Sequence, residues 1–336
     1  MFSSRAVPRA RKSVLLGASI LALAGLLAAT TAGTSSASGS SKKLTTVNVN
    51  LIPIADLASV YLGNKEGFFA QNGLKLKITA SIAGGPVIIP TLISGQDQFG
   101  IPAFTDQILA DVKGLPVVSI GSADSAGPTD ATDYQYLVTL KTSKITSVKQ
   151  LAGKTIAINS LNGLGETQVD AALQNAGVNY HSVHYTAINF PQMAAALESG
   201  QVAAAQVVEP FYSMLRLGKD PINTLAGLDF AIAPNLPVTS VLVTKSYYKS
   251  HHAIVVEFQK ALKESLAYTQ THLAAARALL PSYAGITASL SKQVLMPYFP
   301  TTLNTAAVQK TINDMFSFGI ITTKPTVSSI VEPNSP

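Results

Sequence analysis

The sequence predicts an α/β protein of two similar lobes joined by two crossings of the chain. Strand-like and helix-like segments alternate with short turns over residues 47–122, and the same order restarts over 147–208. A five-residue pattern closes a helix at the same place in both halves: Leu92-Ile93-Ser94-Gly95-Gln96, ahead of a strand leading to Phe104, and Leu197-Glu198-Ser199-Gly200-Gln201, ahead of a strand leading to Phe211. Segments 134–140 and 238–244 are the places where the chain is expected to pass between lobes, which gives a double hinge.

The elements follow in order. Residues 47–54 alternate and end beside Pro53, the pattern of an opening strand. Residues 58–69 carry the helical period, and Asn72-Gly73 stops that helix before a strand at 74–81. Gly84-Gly85-Pro86 opens a helix to Ser94; a strand at 98–102, a helix at 106–112 and a strand at 116–122 complete the first unit as a parallel sheet with crossovers. In the second unit we expect helices at 147–152, 165–176 and 191–199 and strands at 154–159, 183–188 and 203–208. After a strand at 238–244 the remainder reads as helical, at 251–273, 274–282, 289–297 and 303–318. The resulting division is 38–136 for the first part of lobe 1, 137–238 for lobe 2, and 239–336 for the return to lobe 1 and the C-terminal helices.

Residues 1–37 have the three parts of a secretory signal. Arg5, Arg9, Arg11 and Lys12 form a basic start, 14–29 is an apolar run, and a small-residue stretch ends at Ala37, the expected cleavage site. An uncleaved membrane anchor is the alternative, because the run nearly spans a bilayer. The formal charge of +6 lies mostly in this segment and falls to +2 without it. A nearly neutral body supplies no counterion-release term for nucleic acid, so no nucleic-acid partner is expected. Residues 38–336 are then exported, to a periplasm or the extracellular space.

The chemistry-bearing motifs are few. The 336 residues contain no cysteine, which removes disulfides, thiolate metal sites and cysteine nucleophiles. Asn162-Gly163-Leu164-Gly165 sits between a strand and a helix and can bring backbone donors close to a ligand, but no Gly-Lys-Ser/Thr follows, so it is not a phosphate loop. His181 and His184 have no acid at ligand spacing, and His251-His252 opens a helix, where paired histidines are usually solvated. No metal or cofactor is expected. No nucleophile elbow or paired-carboxylate motif appears, so no catalytic residue is named and the chain is not expected to be an enzyme.

A parallel α/β sheet binds ligands beyond the carboxyl ends of its strands. The loops there, 53–59, 82–87, 101–107, 159–167 and 208–212, hold Asp56, Asp106, Glu166 and Glu209 but no Lys or Arg. That excludes a guanidinium clamp for an anion and favours a neutral or donor-rich, nitrogen-containing solute, with Glu209 or Asp56 accepting its N–H groups and Tyr61 or Phe104 packing on its face.

Several segments together resemble the nitrate/sulfonate/taurine and thiamine-precursor (pyrimidine) branch of ABC-transporter solute-binding proteins. They are Tyr61-Leu62-Gly63-Asn64-Lys65-Glu66-Gly67-Phe68-Phe69 with Asn72-Gly73-Leu74, Ser94-Gly95-Gln96, Lys113-Gly114-Leu115-Pro116-Val117, Leu151-Ala152-Gly153-Lys154-Thr155-Ile156, Ser199-Gly200-Gln201 and Glu209-Pro210-Phe211. The resemblance implies a two-lobed type II periplasmic-binding-protein fold, monomeric, with a ligand cleft between lobes that close on a small molecule and present it to an ABC permease. By position it puts ligand contacts at Ala55, Asp56, Leu57, Gly85, Pro86, Phe104, Thr105, Asn162, Gly163, Leu164 and Glu209. The sequence departs from the branch at Gln98 and Ala203, where an Asp is usual, and at Gly163, where a hydroxyl is frequent. A ligand-binding module feeding a sensor or chemotaxis receptor would share the fold; an enzyme of that fold, such as the eukaryotic pyrimidine synthases, relies on a cysteine-rich motif that is missing here.

Overall fold

The computed structural model describes residues 43–333, 335 and 336; the expected signal segment lies outside the described residues. Within 43–336 the chain forms two five-stranded sheets with helices packed on them.

The first sheet has the order β2-β1-β3-β10-β4. Strand β1 (Thr45–Leu51) leads through helices α1 (Ala58–Lys65) and α2 (Phe68–Gln71) to β2 (Leu74–Ala80), which pairs with it in parallel along its whole length. Helix α3 (Gly85–Ile93) carries the chain to β3 (Phe99–Ile101), parallel to β1 on its other side, and α4 (Phe104–Val112) to β4 (Val117–Ser119). Val47, Val49 and Leu51 share one face of the sheet and are buried.

The second sheet repeats the layout. It comprises β5 (Gln135–Leu140), β6 (Thr155–Ile158), β7 (His184–Ala187), β8 (Ala204–Val208) and β9 (Ile222–Gly227), in the order β7-β6-β8-β5-β9. Strands β6, β7 and β8 are parallel and are joined by α5 (Leu164–Asn175) and α6 (Phe190–Glu198); α7 (Phe211–Arg216) follows β8 and α8 (Asp229–Ile232) follows β9. The echoed Ser-Gly-Gln therefore precedes the third strand of both sheets, β3 and β8.

Neither sheet is purely parallel, which corrects the sequence expectation. In each, the fourth position is taken by the strand arriving from the other sheet, and it runs antiparallel: β10 (Leu242–Thr244) against β3 and β4, and β5 against β8 and β9. The segments expected to be crossings are thus largely sheet strands, and the crossings lie just before them, at 120–134 and 228–241. These two crossings are hydrogen-bonded to each other, Ala126 N–H to Leu236 O at 2.8 Å, Asn235 N–H to Gly127 O at 3.1 Å and Val241 N–H to Gly121 O at 2.8 Å, so the hinge is a pair of bonded straps.

The C-terminal region packs mainly on the first lobe. After α9 (Lys245–Ser250), helix α10 (His252–Thr271) lies against α1, where Gly63 faces Ser265, and α11 (Leu273–Tyr283) brings Tyr283 onto Tyr61 as a parallel stack 3.7 Å apart. The helix expected over 289–297 shrinks to α12 (Ala288–Ser291). Beyond it the backbone finds partners elsewhere: Leu295 N–H on Glu209, the Tyr298 backbone on Ser125, and Phe299 N–H on Gln270. Helix α13 (Thr305–Ser317) joins Val308, Ile312 and Met315 to Phe104 and Ile108 in a separate apolar cluster, and α14 (Val327–Ile330) closes it.

Candidate functional site

The carboxyl ends of the parallel strands in both sheets face one cavity between the lobes. Its walls are Ile52, Ile54, Asp56, Gly84, Gly85, Ala103 and Asp106 from the first lobe and Gln135, Asn159, Ser160, Leu164, Gly165, Phe190, Gln206 and Val208 from the second, with Val238 and Thr239 from a strap. The cavity measures about 40 Å³, room for roughly three waters. The lobes are shut on it: Ala55 N–H donates across the cleft to Glu209 O at 3.1 Å, and Gly84 would meet Asn159 Nδ2 at 3.7 Å through a single added carbon.

Asp106, in the first turn of α4, is the most connected polar group of the first-lobe wall. Its Oδ2 accepts the N–H of Ala103 at 3.1 Å, and it also accepts the N–H of Gly85 at the start of α3. Burial pushes its carboxyl up to about 6, against the pull of those two N–H groups. Gly85 has to be glycine here, because a Cβ would sit 2.2 Å from Asp106 Cγ. On the opposing wall Gly163 leaves the way clear to Asp106, and Gly165 leaves room for Gln206 Oε1, which would lie 2.8 Å from an added carbon.

Behind this wall a buried acid pair ties the first lobe to both straps. Asp124 accepts the Tyr134 hydroxyl at 2.5 Å, the Thr239 hydroxyl at 2.5 Å and the Thr239 N–H at 3.0 Å. The Tyr134 hydroxyl is also 3.3 Å from Asp56 Oδ2. Burial, followed by the charge of Asp124, holds Asp56 well above the ordinary carboxyl range, and burial lifts Asp124 to about 6. A second acid pair lies nearby. Asp133 accepts the N–H of Tyr134, Gln135 and Phe230, and Asp229, lifted by burial and by Asp133, accepts from Gln168 at 2.6 Å.

Of the residues expected as ligand contacts, Asp56, Gly85 and Leu164 stand on the cavity wall, as do Asp106 and Gly165 from the loops singled out in the sequence. Ala55 and Leu57 are buried in the turn that presents Asp56, and Ala55 joins the lobes through its backbone. Pro86 and Asn162 line an outer groove with Leu109, Lys113 and Leu161, and Gly163 faces Ser160 and Asp106. The remaining four lie off the wall. Tyr61 is stacked on Tyr283, Phe104 belongs to the α13 cluster, Thr105 is fully buried, and Glu209 turns its carboxylate to Ser213 and Leu295. Glu209 accepts the Ser213 hydroxyl at 2.7 Å and the N–H groups of Ser213 and Leu295 at 3.2 and 3.0 Å; burial raises it to about 7.

Sequence reasoning missed Gln135, Asn159, Ser160, Phe190, Gln206 and Thr239. Gln206 was the most visible of them, as the single polar residue in the buried run Ala204–Val208. Asn159 and Ser160 lie just past the end of β6, inside a loop already singled out.

A family model described as NMT1/THI5 like matches residues 54–276. The Bacillus subtilis (strain 168) protein YtlA, whose name gives it a binding role, is 23% identical over 221 residues, 65% of this chain; the match spans 64% of that relative's own length, less than two thirds. Among solved structures, the alkanesulfonate-binding protein SsuA of Xanthomonas axonopodis pv. citri bound to MOPS superposes with a TM-score of 0.70 at 17% identity, over 85% of this chain and 97% of that one. The nitrate-binding protein NrtA of Synechocystis PCC 6803 does so with a TM-score of 0.70 at 12% identity, over 86% of each chain. A ligand-binding component of an ABC-type import system from Staphylococcus aureus gives 0.73 at 14%, over 86% and 97%. At these identities the likeness is one of fold: two lobes of the periplasmic-binding-protein type.

Proposed function

The chain belongs to the NMT1/THI5-like family, and from that membership we propose that it is an extracytoplasmic solute-binding protein, which captures a small organic molecule by lobe closure and hands it to an ABC permease. The observation that carries this is the cavity itself, walled by the strand ends of both sheets and spanned by two straps. A ligand held by both walls binds the closed form better than the open one and so shifts the equilibrium to closed. The relatives of this fold named for sulfonate, nitrate and ABC import support the same role. No helix among the described residues is long and apolar enough to cross a membrane. In this reading the signal segment is removed near Ala37 and the exported protein acts as a monomer.

The work is binding rather than catalysis. Asp56, Gly85 and Leu164 contact the solute, with Ala55, Leu57, Pro86, Phe104, Thr105, Asn162 and Gly163 holding the wall in shape. Tyr61 and Glu209 act at one remove, through the α1 and β8 ends they brace. Native mass spectrometry and a thermal-shift screen of the exported protein against small nitrogenous solutes test the reading, because a ligand of the folded state raises the melting temperature. A retained small molecule or a solute-specific rise is the expected result. A broad panel that leaves the melting temperature unmoved, with no retained molecule, would overturn it.

A further inference from the structure

Three residues of the cavity wall carry a buried hydrogen-bond acceptor with no donor to meet it. Asp56 Oδ1 and Gln206 Oε1 are buried and unpartnered, on residues that are each 1% exposed, and Asn159 Oδ1 is unpartnered as well. Gln206 is oriented by its other end: its Nε2 donates to Gln135 Oε1 at 3.2 Å, which turns Oε1 toward the gap left by Gly165. Asp106 adds a carboxylate, and no Lys, Arg or His lines the cavity; Lys113 borders only the outer groove.

On the first-lobe wall the donors that would receive an anion are already taken by the protein's own acid, Asp106. Helix N-termini are the usual anion seat of this kind of cleft. Here Asp106 accepts from Gly85 at the head of α3 and from Ala103 at the head of α4, and Glu166 accepts from Asn162, ahead of α5, at 2.7 Å. An anionic solute would meet Asp106 where it needs an N–H group. A cationic solute finds a carboxylate on the first-lobe wall and unpartnered acceptors on both walls.

Resting on the solute-capture reading, we propose that the cleft is built for a compact organic monocation rich in N–H donors, of guanidinium or amidinium type, with Asp106 as its counter-charge and Asp56, Asn159 and Gln206 as its acceptors. The size follows from the cavity, which in the closed form admits only a few non-hydrogen atoms. The elevated carboxyls of Asp56 and Asp106 fit a wall whose balancing charge arrives with the ligand. The cleft therefore departs from the sulfonate- and nitrate-binding relatives in the sign of what it takes.

The test is a charge series of three planar molecules of similar size, guanidinium, urea and nitrate, with acetamidinium and taurine alongside. Each is titrated calorimetrically at matched ionic strength into the exported protein, residues 38–336. Guanidinium or acetamidinium should bind at least tenfold more tightly than urea, and nitrate should give no binding heat. Asp106→Asn should weaken the cation at least tenfold; Gln206→Leu gives a second reading, with the same direction of loss, should the first variant fold poorly. Nitrate or taurine binding more tightly than the cations would overturn the charge assignment and leave solute capture standing. Absence of binding by every member of the series would overturn the compact-cation assignment, whereas solute capture itself falls only on the retained-ligand and broad-panel result.

Discussion

Ala55 and Glu209 close the cleft through their backbones: the amide at the head of the first lobe's opening helical turn donates 3.1 Å to the carbonyl of the residue that follows the second lobe's central strand β8. Glu209 holds that carbonyl in place by anchoring its own side chain, whose oxygens take three donors from Ser213 and Leu295. Glu209→Gln replaces one acceptor oxygen with an NH2 group facing a donor. We expect a loss of about 1–3 kcal/mol, read as a lower melting temperature, together with weaker ligand binding. An unchanged melting temperature would remove the anchoring role.

Protonation of the buried acids gives stability a definite pH dependence. Burial raises Asp106 and Asp124 to about 6 from 3.8 and Glu209 to about 7 from 4.5, the last despite the opposing pull of the hydrogen bonds from Leu295 and Ser213 and, less, of Arg216. Because the folded pKa values lie above the unfolded ones, the folded state binds more protons between them. The stabilisation is full below about pH 4 and is lost as pH rises through 6 to 7. The ligand-free protein should therefore melt several degrees higher at pH 5.5 than at pH 8 in thermal unfolding, whereas a flat or rising profile would contradict these burials.

Gly63 offers a test of the lobe 1 frame away from the cleft. A Cβ there would lie 1.8 Å from Ser265 Oγ and 2.4 Å from its Cβ, so Gly63→Ala should destabilise by about 1–3 kcal/mol through overpacking of α1 on α10. Adding Ser265→Gly should restore part of the melting temperature. Failure of that partner change to help would show that the two helices can slide apart.

Gly85→Ala places a carbon 2.2 Å from Asp106 Cγ and so must move the carboxylate that caps both α3 and α4. Ligand affinity should fall at least tenfold in calorimetry. Retained affinity would mean that Asp106 does not shape the site.

The export reading has its own check. Intact-mass measurement on secreted protein should show a chain beginning near Ser38; a membrane-bound product retaining residues 1–29 would show an anchor instead.

Much of the fold could be read from the sequence because each parallel unit announces itself locally. The alternation over 45–119, the turn glycines and the repeated Ser-Gly-Gln all rest on short-range signals. Strand β9 and the antiparallel placement of β5 and β10 could not be read in that way. They depend on where a strand arriving from the other lobe finds an open edge, which is a long-range pairing. The site divided along the same line. Asp56, Gly85 and Leu164 are fixed by their place at strand ends, whereas Tyr61 and Phe104 were drawn off by aromatic and aliphatic partners on α11 and α13, some 200 residues away in the sequence. Gln206 lay inside a strand rather than a loop, where only its polarity marked it.

The central claim, that two lobes close on a solute about paired straps, is tested most directly by a distance across the cleft mouth. The chain has no cysteine, so Lys113→Cys on the first lobe and Leu161→Cys on the second, both on the outer groove, give unique positions for spin labels. Pulsed electron-electron distance measurement on the ligand-free protein should show a population with the labels farther apart than the shut lobes place them. Saturation with the solute that raises the melting temperature should collapse it to one short distance. A single distance distribution, identical with and without bound solute, would contradict closure as the mechanism.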